Sequence, residues 1–191
     1  VFGGHDSDYE FLDSLERYDP ATNEWEREAV APMPSARNYV GAAVLDGKLY
    51  AAGGQVAVDD GEDDEEDGAT SNLVERYDFE TKAWEAVAPM ATPRENHAVA
   101  VLDGKVYAVG GLAGGFGRLS SVERYDPATN AWEAVAPMVS ARRWNALAVL
   151  DGKLYAVGGY GIEEEEEEEE WGNDGRPLNS VERYDPEMNA W

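Results

Sequence analysis

Apolar and polar residues alternate with a period of two through Ala98–Val109, and only Asp103-Gly104 interrupts the alternation. A period of two is that of a half-buried strand. Asp-Gly between two such runs predicts a hairpin, because a type I′ turn needs positive φ at both central residues. Gly41–Ala52 and Ala146–Val157 repeat the pattern around Asp46-Gly47 and Asp151-Gly152. A second pattern follows each hairpin. Val122–Tyr125 predicts a third strand and Trp132–Val135 a fourth. Asp126-Pro127-Ala128-Thr129-Asn130 turns the chain between them: Asp caps its own backbone, Pro presets φ, and Asn tolerates the left-handed region. That second pattern returns at Leu15–Trp25, Leu73–Trp84 and Val181–Trp191. Each unit is thus a four-stranded antiparallel meander, with strands A to D in chain order.

Tyr18, Tyr77, Tyr125 and Tyr184 are each followed seven residues later by a tryptophan: Trp25, Trp84, Trp132 and Trp191. Gly-Gly pairs stand at 3–4, 53–54, 110–111 and 158–159. A fixed period of about 50 residues is the signature of a repeat architecture. A small sheet alone leaves its faces bare, whereas radial stacking buries them and leaves only short edges. The recurrent rings supply the area for such packing, and the glycines permit a tight turn or a close approach.

The combination of Gly-Gly, Tyr-x6-Trp, Met-x3-Arg and the Asp-Gly hairpin resembles the Kelch repeat. The resemblance covers nearly the whole chain and implies an all-β Kelch β-propeller. It implies about three and a half four-stranded blades of a ring that is most often six-bladed. The units fall at about 1–33, 41–90, 98–138 and 146–191. The first unit starts inside strand B, and the last ends where strand D should start, so a piece of a longer chain is expected. The resemblance further implies that strand A lines a central channel. The D-to-A crossovers and B-to-C loops would then share one face.

Formal charge changes this picture in two places. The chain carries −25, but 59–67 and 163–170 each hold eight acids. Without them 24 acids face 15 basic residues, so the repeats are only moderately acidic. Acidic runs without apolar anchors are expected to be solvated, disordered loops, here 58–71 and 160–179, both in the B-to-C position. The first unit also carries two extra residues before Ala31-Pro32-Met33. A phosphate-neutralising surface is not expected on this balance, so nucleic acid is not an expected partner. No apolar run is long enough for a spanning helix, and no membrane partner is expected. There is no cysteine, so nothing demands an oxidising compartment; a cytoplasmic or nuclear location is expected.

Candidate chemistry emerges from comparing the units. After Met33, Met90 and Met138 an arginine recurs: Arg37, Arg94 and Arg142. The next three residues differ entirely: Asn38-Tyr39-Val40, Glu95-Asn96-His97 and Arg143-Trp144-Asn145. These triplets enter the channel-lining strand, so they should rim the opening. Planar donors and rigid rings suit recognition. The expected partner-binding residues are Arg37, Asn38, Tyr39, Arg94, Asn96, His97, Arg142, Arg143, Trp144 and Asn145. The competing reading is that the arginines only bond crossover carbonyls or a neighbouring blade. Glu16-Arg17, Glu75-Arg76, Glu123-Arg124 and Glu182-Arg183 are expected to pair across strands as scaffold, because adjacent strand residues point to opposite faces.

No cofactor and no metal site are expected. From Asp63, Gly68 fits the sixth position of a calcium loop, but Val74 stands at the twelfth, where Glu is required. The glycine run Gly110–Gly117 does not match a phosphate-binding fingerprint and reads as a flexible loop. His5 and His97 occupy different repeat positions, and no serine lies in a nucleophile elbow. The family's copper-radical oxidases need a cysteine that this chain lacks. An enzyme is therefore not expected. By resemblance the implied role is protein recognition, as the substrate-binding propeller of a ubiquitin-ligase adaptor whose cullin contacts lie in other domains. A sugar-epimerase-like enzyme and an actin or cytoskeletal scaffold are the alternatives. The acidic loops would either cover the rim in cis or recruit a basic partner.

Overall fold

Hairpins form where the Asp-Gly pairs stand. Asp46, Asp103 and Asp151 have φ of 50°, 49° and 50°, and the glycines that follow have φ of 71°, 69° and 69°. That is the left-handed pair a type I′ turn requires. In this computed structural model, residues 1–26, 30–57, 68–114, 117–161 and 175–191 are described. Among them every regular element is a strand, and the fold is all-β.

The second unit orders strands A to D as Gly41–Leu45, Lys48–Ala52, Val74–Asp78 and Ala83–Val87. The third repeats this with Ala98–Leu102, Lys105–Val109, Val122–Asp126 and Ala131–Val135. All neighbours are antiparallel. The fourth holds Ala146–Leu150, Lys153–Val157 and Val181–Tyr184, with an isolated bridge between Asp185 and Ala190. The first holds Arg17–Asp19 paired with Glu24–Glu26, and Phe2 bridges to Leu15. The extra residues expected before Ala31 lie outside the described residues.

The units stack face to face. Tyr50 of the second unit meets Tyr125 of the third with ring centroids 5.8 Å apart, and Tyr107 meets Tyr184 of the fourth at 5.9 Å. Leu45, Val74, Met90, Val106 and Ala108 fill the first of these interfaces. Leu102, Val109, Val122, Met138 and Leu154 fill the second. Full burial of each leucine or valine contributes about 1.5–3 kcal/mol. The tryptophans lock each unit to the one before: Nε1 of Trp84, Trp132 and Trp191 donates to the carbonyl oxygens of Ala31, Ala88 and Ala136. The outer face of the fourth unit is uncovered by the described residues. Leu150, Val157 and Val181 are 58%, 40% and 56% exposed, while their counterparts Leu102, Val109 and Val122 are 3% or less. The described sheets do not close into a ring.

Two expectations about loops need correction. Gln55–Ala57 pairs with Gly68–Thr70, and Tyr160–Gly161 pairs with Arg176–Pro177. The edges of 58–71 and 160–179 are therefore ordered ribbons; the acidic runs themselves lie outside the described residues. The glycine-rich loop of the third unit is likewise pinned by pairing of Leu112–Ala113 with Gly117–Arg118. In each case backbone bonding at the base of the loop overrides a composition that reads as unstructured.

Candidate binding face

The crossover into each inner strand is four residues long, and its positions have different surroundings. The first is the recurring arginine. Arg37, Arg94 and Arg142 are fully buried, 0% exposed. Arg94 donates through Nη1 to the carbonyls of Gly110 (3.0 Å) and Ser121 (2.9 Å). Its Nη2 donates to Ser121 Oγ (2.9 Å) and Glu123 Oε1 (2.9 Å). Arg142 makes the same set with Gly158, Ser180 and Glu182. Arg37 bonds the carbonyls of Gly53 and Leu73 and the carboxylate of Glu75. These three arginines are therefore not part of an exposed rim; they staple the glycine pair to strand C inside their own blades. Their planar forks match two carbonyls and a carboxylate at once. The competing reading placed their acceptors on crossover carbonyls or a neighbouring blade; the side chains instead find them within their own blade.

Burial weakens the charged form of such groups. Desolvation lowers the pKa of Arg37 and Arg94, opposed by Glu75 and Glu123. The Glu75 carboxyl is raised, chiefly by desolvation. Desolvation would also raise Glu182, but Arg142 and the amides of Val139 and Ser140 together hold it below its ordinary value. The other half of each Glu-Arg pair faces the opposite way. Arg17, Arg76 and Arg124 bond Glu26, Glu85 and Glu133 on strand D, as expected of scaffold.

The arginine backbone binds the preceding blade. Gly4, Gly54 and Gly111 donate their N–H groups to the carbonyls of Arg37, Arg94 and Arg142. The first glycine of each pair lies against the same oxygen: a Cβ on Gly53 or Gly110 would come within 2.3 or 2.4 Å of it. The approach that excludes side chains here is made by backbone, not by a ring.

The second position is also enclosed. Asn38, Glu95 and Arg143 are 8%, 8% and 6% exposed. Glu95 accepts from Thr70 Oγ1 at 3.0 Å. At the fourth position His97 and Asn145 are buried, and their side-chain polar atoms find no hydrogen-bond partner among the described residues. Desolvation, reinforced by the Arg94 charge, pushes the His97 imidazole down to about 3.

Only the third position faces out. Tyr39 and Trp144 are 45% and 50% exposed, and Asn96 is half-buried. All three are left-handed, with φ of 52°, 53° and 54°. Asn96 N donates to Tyr39 O, and Trp144 N donates to Asn96 O at 2.8 Å, so hydrogen bonds link successive crossovers across three units. Tyr39, Asn96 and Trp144 border one cavity of about 550 Å³, whose wall also includes Gln55, Thr70 and Glu95. Of the ten expected residues, the structure brings Tyr39, Asn96, Arg143 and Trp144 to this groove. It withdraws the three arginines into the scaffold, and it buries Asn38, His97 and Asn145 away from the groove lining. Glu95, Gln55 and Thr70 were missed. Only Glu95 carried a signal, as a member of a variable triplet.

Stacked antiparallel sheets with variable crossovers between them define a repeat β-propeller architecture. The chain belongs to the Kelch-repeat family. The family described as the KLHDC2/KLHL20/DRC7 Kelch-repeats domain matches residues 1–159, and the Kelch motif matches 171–191. The chain is similar to human Kelch-like protein 33, with 35% identity over 119 residues, covering 60% of this chain and 20% of that protein. It is 40% identical over 100 residues to Danio rerio Kelch-like ECH-associated protein 1A, covering 52% and 15% respectively. It is 39% identical over 102 residues to the Xenopus laevis influenza virus NS1A-binding protein homolog, covering 53% and 13%. The chain thus spans a fifth or less of the length of these relatives.

Proposed function

We propose that this chain is a protein-interaction module whose partner docks on the crossover rim, and that it acts as the substrate-recognition propeller of a ubiquitin-ligase adaptor. One observation carries the reading. The three crossovers share a rigid, mutually bonded backbone and differ in the one side chain each turns outward: Tyr39, Asn96 and Trp144. A rigid scaffold that presents variable side chains is how loops commonly carry recognition. The relatives' names agree, two in being Kelch-like and one in naming a protein it binds. An enzyme would need convergent acid and base groups, and among the described residues the groove is bordered by one carboxylate, Glu95, and one guanidinium, Arg143.

The test compares partner sets. The whole protein and its Tyr39→Asn/Trp144→Asn variant are isolated from cells, and bound proteins are quantified. A defined subset should be lost from the variant while a cullin subunit is retained. Identical partner sets would remove the rim from the interaction, and the absence of any cullin would remove the ligase role.

A further inference from the structure

We propose that the groove takes a cationic segment of the partner chain, with a lysine or arginine side chain laid against Tyr39 and Trp144. The inference rests on the reading of the rim as the partner-binding face and adds the chemistry of what binds there.

Two aromatic side chains border the groove, each about half exposed and each on a crossover whose backbone is bonded to that of Asn96 between them. Trp144 already works as a cation platform: the Arg143 guanidinium carbon lies 4.1 Å from its ring centroid. Tyr160 meets the same indole edge-on at 5.5 Å and 88°, which fixes its orientation. Arg143 is 6% exposed while Trp144 keeps half its surface in solvent. Cations are attracted to such faces by the ring quadrupole.

Charge points the same way. The arginines suited to an acidic ligand, Arg37, Arg94 and Arg142, are sealed beneath the rim. The ribbon Gln55–Ala57/Gly68–Thr70 forms one wall and is the root of the run holding eight acids in 59–67. The ribbon Tyr160–Gly161/Arg176–Pro177 touches Trp144 and roots the run of eight glutamates at 163–170. Against these sixteen carboxylates the same ribbons and their neighbour carry Arg118 and Arg176. A field of this sign raises the local concentration of cationic segments and repels acidic ones.

The experiment measures binding of three fluorescein-labelled decapeptides to the full chain: alternating arginine and serine, glutamate and serine, and glutamine and serine. The comparison protein is Tyr39→Asn/Trp144→Asn; Asn96 already holds this conformation at the equivalent position, and urea unfolding confirms the fold. At 0.15 M salt, where charges beyond about 8 Å are screened, the arginine peptide should bind wild type and lose roughly five- to thirty-fold in the variant, the effect of two exposed cation–π contacts. Equal affinity for wild type and variant would overturn the inference, because attraction would then be general charge and not these rings. If the glutamate or glutamine peptide loses affinity in its place, the rim reading stands and the cationic one falls. If no peptide responds to the substitutions, both fall.

Discussion

The first and third residues of each crossover are separated by a single residue, yet the first is fully enclosed in its blade and the third turns outward, with Tyr39 and Trp144 about half in solvent. Arg94 has five acceptor contacts within its own blade and none of its surface exposed. Trp144 touches Arg143 and Tyr160 and leaves half its surface free. Arg37, Arg94 and Arg142 meet the same internal demand in three units: two carbonyls and a glutamate carboxylate of strand C. The variable residue meets none. Within one repeat protein, then, a recurring charged residue marks an obligation of the fold. The positions that drift beside it mark where the molecule can address something else.

The sharpest way to break this contrast is to remove the arginine. Arg94→Ala would leave Glu123, 3% exposed, without its counterion, and the Gly110 and Ser121 carbonyls without their donor. Removing one member of a buried pair costs about 3–5 kcal/mol. Arg94→Lys should recover little, because an ammonium cannot reproduce the fork. Urea midpoints test both; a loss under about 1 kcal/mol for Arg94→Ala would place the arginine with the dispensable surface charges.

Next in size is the glycine that the arginine's carbonyl presses against. Gly110→Ala places a Cβ at 2.4 Å from Arg142 O with φ of +68°. Left-handed strain of about 1–2 kcal/mol adds to overpacking of about 1–3 kcal/mol. Gly104→Ala has nearly the same φ, +69°, and nothing within 4 Å, so it should show the strain alone, about 1–2 kcal/mol. Equal losses in the two variants would mean that the close approach is unimportant.

The fourth crossover position gives a pH signature. His97 titrates near 3 in the folded chain, chiefly through desolvation and then the Arg94 charge, against about 6.5 unfolded. The unfolded state therefore takes the proton first. Stability is full above about pH 6.5 and falls as pH drops from there toward 3, by at most about 1.4 kcal/mol per unit. His97→Val installs the residue of the equivalent position, Val40. The variant's own stability should lack that slope, so the wild-type advantage over it should shrink as pH drops from 7 to 4. A difference that stays flat from pH 7 to 4 would show that the imidazole is hydrated in the native chain.

The hairpins, the tyrosines and the tryptophans could be read from the sequence because each is decided by residues within one turn or one strand, and the repetition states each answer several times. The depth of the arginines could not be read the same way. It depends on acceptors 16 to 40 positions away, such as Gly110, Ser121 and Glu123 for Arg94, and a recurring Arg beside variable residues looks the same whether it faces in or out. The ribbons at the roots of the acidic runs were hidden for another reason. Gly68–Thr70 follows eight acids and has little strand character of its own; its order comes from the partner Gln55–Ala57. Glu95 was visible within its triplet, but its place in the groove depends on Thr70 from another unit.

The smallest expected effect tests the other side of the contrast. Tyr39 holds φ of 52°, a conformation that costs a bulky residue roughly 1 kcal/mol and that Asn adopts more readily. Nearly half of its surface is in solvent, so little packing offsets that strain. Tyr39→Asn should therefore leave the urea midpoint unchanged or raise stability by less than about 1 kcal/mol. Trp144→Asn should gain less, because it also loses the Arg143 contact, worth about 0.5–1 kcal/mol at an exposed site. An aromatic ring kept in a strained conformation with no return in stability has its use outside the fold. A drop of 2 kcal/mol or more in Tyr39→Asn would mean that the ring is part of the scaffold after all, and the distinction between the first and third positions would disappear.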